Sequence, residues 1–396
     1  MTPSLQATPA VQAKKKWSWR SRAFCGLVYQ ALALLLIALG LWYLGHNTLV
    51  NMRERGIQSG FDFLTQSAGF DIGESLFPFD SRQPYWRAFL IGLSNTLRVA
   101  LIGIVLATLI GTLVGVGRFS RNALVRGVCS AYVEIFRNIP ILLQLLMWYL
   151  LFTEVLPAAS EAWQLGSIFL SKGGLNFPIP VWSGGHAWAA VGLLAGTVLA
   201  LLYRRRAIAH FEATGQLRSR VWLALVLVVF GGLTGWLIGG APTAMNAPSR
   251  GPFAIENGGA LTPEFIAVLL GLTTYTAAFV AEVVRAGIQS VALGQSEAAA
   301  ALGLSRRQEM RLVMLPQALR VIIPPLTNQY LNLTKNSSLA VAIGYPDVVS
   351  IANTALNQTG RAVECISIVM MIYLSTSLLT SLLMSRYNAR AAIKER

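Results

Sequence analysis

Residues 297–316 read EAAAALGLSRRQEMRLVMLP. Glu297-Ala298-Ala299 is followed by three residues, then Gly303, nine residues, Val313, one residue and Leu315-Pro316. Ser296 stands where a helix N-cap is expected, with Glu297 near the positive end of the helix it opens. Ala298 to Ala301 are strong helix formers with almost no side chain, so another surface can approach their backbone closely. Gly303 suits the left-handed residue that ends a helix. Ser305-Arg306-Arg307-Gln308 has the form of a capping box opening a second helix, which carries Arg306, Arg307 and Arg311 towards water. Leu315-Pro316 marks the start of the next apolar helix, where proline is tolerated. The stretch therefore predicts an elbow of two short helices about a glycine hinge. It is polar and basic, yet very hydrophobic segments flank it. That context favours a docking surface over a pore wall; the plain alternative is an Ala-rich linker.

The rest of the chain explains what the elbow sits in. Of 396 residues, 54% are hydrophobic and only 12% charged, against about 25% charged in soluble domains. Apolar runs near 24–44, 88–117, 139–156, 187–203, 221–240, 264–284, 316–334 and 363–385 approach or exceed the roughly 20 residues that cross a bilayer. The fold class is an all-α polytopic membrane protein with about eight transmembrane helices. The net charge of +15 raises nucleic-acid binding, but the distribution of charge argues against it. Most Lys and Arg fall in 1–23, 118–127, 204–220, 285–320 and 385–396, and most acids fall in the alternate segments. Positive charge stays cytoplasmic, which places both termini and the elbow inside. Residues 1–23 read as a basic cytoplasmic segment and 24–44 as an uncleaved extra first span, too long for a signal-peptide apolar region. Residues 45–87 read as a periplasmic loop. Cys25, Cys129 and Cys365 have no metal or redox spacing and read as small apolar residues.

The elbow's pattern, EAA followed by Gly303 and Leu315-Pro316, resembles the cytoplasmic loop by which permease subunits of bacterial ABC importers engage their ATPase. Val313 stands where that family has Ile. Two further runs, YVEIFRNIPILLQLL (132–146) and TTYTAAFVAEVVRAGIQSVALGQSEAA (273–299), resemble the amino-acid branch. The resemblance covers roughly 88–156 and 264–390. It implies a five-helix type I ABC importer core made of 88–156 and 263–390, with the coupling loop at 294–316, interrupted by an insertion at 157–262 that holds two spans. The eight-span form with this insertion looks like permeases for general L-amino acids or for acidic amino acids and their amides. The implied setting is the bacterial inner membrane, with ABC ATPase subunits, a second permease subunit (a heterodimer), a periplasmic amino-acid-binding protein and membrane lipid as partners. Glu297, Ala298, Ala299, Gly303, Arg306, Arg307, Leu315 and Pro316 are the implied ATPase-coupling residues, with Glu297 facing a basic group.

No G-x4-G-K-[ST] loop occurs, so the chain is read as having no cofactor and no catalytic residues of its own, with ATP and Mg used by the partner ATPase. Gly111, Gly115 and Gly117 lie in an apolar span and read as close-packing positions. The three histidines are far apart and offer no metal site. Charges in a span are costly, so each needs a reason. Glu134 with Arg137, and Glu282 with Arg285, are spaced to meet on one helical face near the cytoplasmic end of a core span. They read as gate or coupling salt bridges, or as interfacial anchors. Arg98 is expected to snorkel to the outer interface. The span after Leu315 carries Pro324-Pro325, which should break or kink it, then Asn328, Gln329, Asn332 and Lys335. Broken polar helices often line a transporter's cavity; interhelical polar contacts are the alternative. Asn and Gln can meet both the carboxylate and the ammonium of an amino acid. Gln144 and Tyr275 are further substrate-path candidates. A rival reading, an ion-coupled secondary amino-acid transporter, calls for midplane carboxylates; the span-level acids visible in the sequence sit near cytoplasmic ends.

Overall fold

The computed structural model describes residues 22–391 apart from 55, 57–58, 215–220 and 252–253. Most of the basic N-terminal segment, part of the 204–220 loop and residues 392–396 lie outside the described residues. In chain order come α1 (Arg22–Glu54), α2 (Tyr85–Gly117), α3 (Ala123–Asn138) and α4 (Ile141–Leu150), which runs on through a π turn at Leu151–Val155. Four short strands follow, β1 (Trp163–Leu165), β2 (Ile168–Ser171), β3 (Gly174–Phe177) and β4 (Ile179–Pro180). The helices α5 (Gly184–Thr214) and α6 (Val221–Ile238) lead to β5 (Met245–Asn246), β6 (Ser249–Arg250), β7 (Ile255–Glu256) and β8 (Gly259–Leu261). Then come α7 (Pro263–Gln289), α8 (Leu293–Ala301), α9 (Arg306–Glu309), α10 (Leu315–Asn336), α11 (Val348–Thr359) and α12 (Ala362–Ala391).

Among the described residues, five helices are long and apolar enough to cross a membrane. Two bent helix pairs and the shorter apolar helix Trp222–Ile238 add to them, which accommodates the eight crossings expected. The fold is all-α in its membrane part. Three differences from the sequence reading concern the spans and the segment between α4 and α7. The run 139–156 is only the second limb of a helix pair, because α3 and α4 meet at 105° across Ile139-Pro140. Proline lacks the amide that would continue the α3 ladder, and it restricts the residue before it to extended backbone. Ile139 is accordingly extended, at φ −90°, ψ 129°. Second, α10 passes through Pro324-Pro325 without interruption. The discontinuity falls later, after the 3-10 turn Ser337–Ile343, where Gly344 takes φ +78° and α11 departs at 49°. Prolines are tolerated inside membrane helices where packed neighbours hold the backbone; Ile322 and Ile323, just ahead of the pair, are buried against the core. Third, the stretch between α4 and α7 carries strands as well as its two helices. β1, β2, β3 and β8 form one antiparallel sheet, and Leu170 and Leu261 pack it on the core cluster that holds Phe152, Leu156 and Phe265.

The core is built on α2 and α7. Val99 and Ala107 of α2, Leu145 of α4, Val268 and Leu272 of α7 and Leu333 of α10 are all fully buried. The two long helices approach closely at Gly111 and Gly115. A Cβ at Gly111 would lie 2.6 Å from the Val280 side chain and 2.7 Å from the Ala277 carbonyl, and at Gly115 2.8 Å from the Ala281 carbonyl. Gly117 fits against the Cys129 Sγ in the same way, at 2.6 Å. All three glycines are thus contact points where any side chain collides. Gly111→Val is expected to force α2 from α7 and cost about 3 kcal/mol. Gly127→Ala, where nothing lies within 4 Å, should be neutral or stabilising by up to about 1 kcal/mol. Thermal unfolding of the purified protein compares the two, and equal melting temperatures would contradict this packing.

Candidate coupling elbow and its charged clusters

The elbow forms where the sequence places it, with two corrections. Helix α8 opens one turn early, at Leu293 after Ala292, so Ser296 lies inside it and is not its cap. Its hydroxyl instead donates to the Glu309 carboxylate at 2.6 Å. Leu315-Pro316 is not a fresh start either. The chain is helical from Arg306 onward, passing through a π turn at Met310–Met314. A wider turn there relieves the clash that the Pro316 ring would make with the preceding turn of a regular helix.

The hinge is built locally. Gly303 takes φ +72°. Its amide donates to the Ala300 carbonyl at 2.9 Å, and the Leu304 amide to the Ala299 carbonyl at 3.1 Å; this pair of bonds is the Schellman stop. Ser305 and Gln308 complete the capping box, which opens α9. The two limbs are then tied together. Besides Ser296 with Glu309, Gln317 donates to Gln295 at 3.1 Å, and Ala299 is buried in the angle. The outer surface stays open. Glu297, Ala298, Arg306 and Arg307 are exposed, and so are two leucines, Leu293 at 82% and Leu302 at 80%. Sequence reasoning passed over these leucines; the signal was an apolar residue at each end of the otherwise polar and alanine-rich stretch 293–302.

Above the elbow, one carboxylate gathers three cations. Glu282 of α7 accepts Arg118 at the end of α2 at 2.5 Å, bonds Arg285 one turn along its own helix, and lies 3.6 Å from Arg137 of α3. Arg137 also lies over the Phe279 ring, 5.2 Å from its centre. The expected Glu282–Arg285 pair is present. The expected Glu134–Arg137 pair is not: Arg137 turns to Glu282, while Glu134 takes the Asn138 amide of its own helix. Two more arginines on Glu282 offer a carboxylate in low dielectric better compensation than one.

A second cluster joins the middle of α2 to the start of α7. Arg98 does not snorkel. It bonds Glu74 of the preceding loop at 2.6 Å, with side chains only 17% and 7% exposed, and stacks 4.0 Å from the Phe265 ring centre. Glu74 also accepts the Thr262 hydroxyl that caps α7, and its carbonyl accepts the Asn95 amide at 2.8 Å. Beside it lies a cavity of about 360 Å³ lined by Asp71, Thr262, Glu264, Ser350 and Thr354, among others. Arg98 and Arg118 are about 30 Å apart along α2 at 1.5 Å per residue, the thickness of a bilayer's hydrocarbon core. The clusters thus bracket the stretch over which α2 lies against α7. Further out, Arg361 bonds Asp62, at 2.9 Å through one amine, and Glu364 accepts the Gly60 amide at 2.6 Å. These contacts clamp the 59–84 loop to the start of α12.

The substrate-path candidates divide. Asn328, Asn332 and Lys335 are exposed on α10 at helical spacing, so they form one polar stripe. Gln329 and Tyr275 are half-buried, Tyr275 against Phe279. Gln144 is fully buried and its amide donates to the Phe136 and Ile139 carbonyls, each at 2.9 Å, closing the α3–α4 bend, while its buried Oε1 has no partner among the described residues.

This arrangement can be set beside known proteins. The family described as "Binding-protein-dependent transport system inner membrane component" matches residues 219–393. The General L-amino acid transport system permease protein AapQ of Rhizobium johnstonii is 46% identical over 385 residues, 96% of either chain. The chain belongs to this family of ABC transport permeases. The permease is also 40% identical to the Glutamate/glutamine/aspartate/asparagine transport system permease protein BztB of Rhodobacter capsulatus, over 94% of its own length and 95% of the relative's. A solved amino acid ABC transporter, described as "Crystal structure of an amino acid ABC transporter with histidines", aligns with 77% of the permease and 95% of its own chain at 22% identity, with a TM-score of 0.46.

Proposed function

We propose that the permease is the membrane-spanning subunit of an ATP-driven importer that carries L-amino acids from periplasm to cytoplasm in a bacterial inner membrane. The observation that carries this reading is the open elbow between α7 and α10 in a chain whose full-length relatives are named as amino-acid transport permeases. Leu293 and Leu302 offer apolar knobs, with Glu297, Arg306 and Arg307 around them, to the groove of a cytosolic ATPase that holds the ATP and Mg. Hydrolysis belongs to that subunit, and this chain does no bond chemistry. The elbow, both termini and the Glu282 cluster face the cytoplasm; the Glu74 cluster faces the periplasm, where a soluble binding protein delivers substrate.

The stripe Asn328, Asn332 and Lys335 supports a second permease subunit. Polar and charged groups are costly against lipid, so an exposed polar stripe on a span meets protein or a water-filled path. Closure of the ATPases pushes the elbow, Glu282 passes the displacement to α2 and α3 through Arg118 and Arg137, and the path opens alternately to the two sides. The ion-coupled alternative finds no support. The relatives are ABC permeases, and the buried Asp347 spends one oxygen capping α11, accepting the Ser350 amide at 2.8 Å, which is a structural duty.

Uptake of labelled acidic, neutral and basic amino acids in a strain lacking only this chain tests the reading. Loss of uptake across several classes, restored by the intact gene, is expected. Undiminished uptake of all three would overturn it.

A further inference from the structure

The helices α5 and α6 form a hairpin that the proposed transport cycle does not use. They meet through glycines: a Cβ at Gly192 would lie 2.2 Å from the Gly231 carbonyl, at Gly196 2.5 Å from the Leu227 carbonyl, and at Gly235 2.3 Å from the Trp188 carbonyl. Small residues spaced by four let two membrane helices touch backbone to backbone. With the small faces turned inward, the remaining faces are apolar and open; Leu194, Val198, Leu225 and Val229 are all exposed. In a bilayer those faces meet acyl chains.

The same helix then carries Arg204, Arg205 and Arg206 in succession, all three exposed. At 1.5 Å per residue they lie about 30 Å along α5 from Gly184, the span of the hydrocarbon core, so they stand at headgroup level. At about 100° per residue, three consecutive positions spread around more than half of the helix. The salt bridges among the described residues involve none of the three. The planar guanidinium matches phosphate oxygens in bidentate fashion. We propose that Arg204, Arg205 and Arg206 make the end of the α5–α6 hairpin a binding site for anionic phospholipid headgroups. The occupant follows from charge and depth: it lies in the leaflet, carries phosphate and bears net negative charge. The proposal does not rest on what the permease transports.

The test uses the assembled transporter with its partner subunits, in nanodiscs of phosphatidylcholine with a minor share of phosphatidylglycerol, and native mass spectrometry of the lipid each complex retains. The wild type is expected to keep phosphatidylglycerol in preference to phosphatidylcholine. The triple change Arg204→Gln, Arg205→Gln, Arg206→Gln should lower that preference by a factor on the order of 100, from the worth of each basic residue at a charged membrane surface. The corresponding triple Lys variant should keep most of it, and Arg121→Gln, on the loop between α2 and α3, should keep all of it. Independently of any variant, salt near 1 M should weaken the wild-type preference. A glutamine variant that retains as much phosphatidylglycerol as the wild type overturns the proposal. So does a wild type that keeps the two lipids equally, or an equal loss in Arg121→Gln.

Discussion

Gly303→Val is expected to cut amino-acid uptake by roughly tenfold or more while leaving the membrane core intact. No atom lies within 4 Å of the position a Cβ would take at Gly303, so the effect is not a clash. It comes from the backbone: at φ +72° an L-residue is strained by about 1–2 kcal/mol, and a β-branched one is a rarer visitor still. At 1.4 kcal/mol per factor of ten, that strain depopulates the working angle between α8 and α9. Asparagine tolerates this region better than other side chains, so Gly303→Asn should retain most of the activity. The pair is read by uptake together with co-purification of the ATPase. Equal activity in the Val and Asn variants would remove the hinge from the mechanism.

The second large effect is expected at Glu282. Changing it to Gln leaves Arg118, Arg137 and Arg285 facing one another with no counter-charge. Removing one partner of a buried pair costs about 3–5 kcal/mol. With the Glu282 side chain 24% exposed, water screens part of that, and about 2 kcal/mol is a fairer figure. Because the cluster joins α7 just ahead of the elbow to α2 and α3, the variant should still bind the ATPase yet show uptake reduced by at least about tenfold per ATP hydrolysed. Glu134→Gln, whose carboxylate accepts the Asn138 amide at 3.4 Å, should stay within about twofold of wild type. If the two variants behave alike, Glu282 is no transmission point.

What the sequence made legible was local. The elbow's stop and restart depend on Gly303, Ser305 and Gln308, whose bonds reach no further than a few residues, and apolar run length alone marks most of the membrane crossings. What stayed hidden depends on distance along the chain. Glu282 and Arg118 are separated by 164 positions and Glu74 and Thr262 by 188, so the spacing of charges on one helix led to Arg137 being paired with Glu134. The strands beside α5 and α6 are two to four residues long, too short for an alternating pattern to stand out. Pro324-Pro325 reads as a break or kink because intrinsic preference is all a sequence shows; the neighbours that keep α10 continuous are not visible there.

The base of the α5–α6 hairpin is pinched shut. β4 pairs with β5, placing Ile179 opposite Asn246, and the Val181 amide reaches the Ala244 carbonyl at 2.9 Å. The chain therefore enters and leaves the hairpin at nearly one point in space. A segment inserted like a parenthesis can lengthen, shorten or diverge without shifting any residue of the α2–α7 scaffold out of alignment, so this region is free to evolve at its own pace while the transport machinery keeps its register.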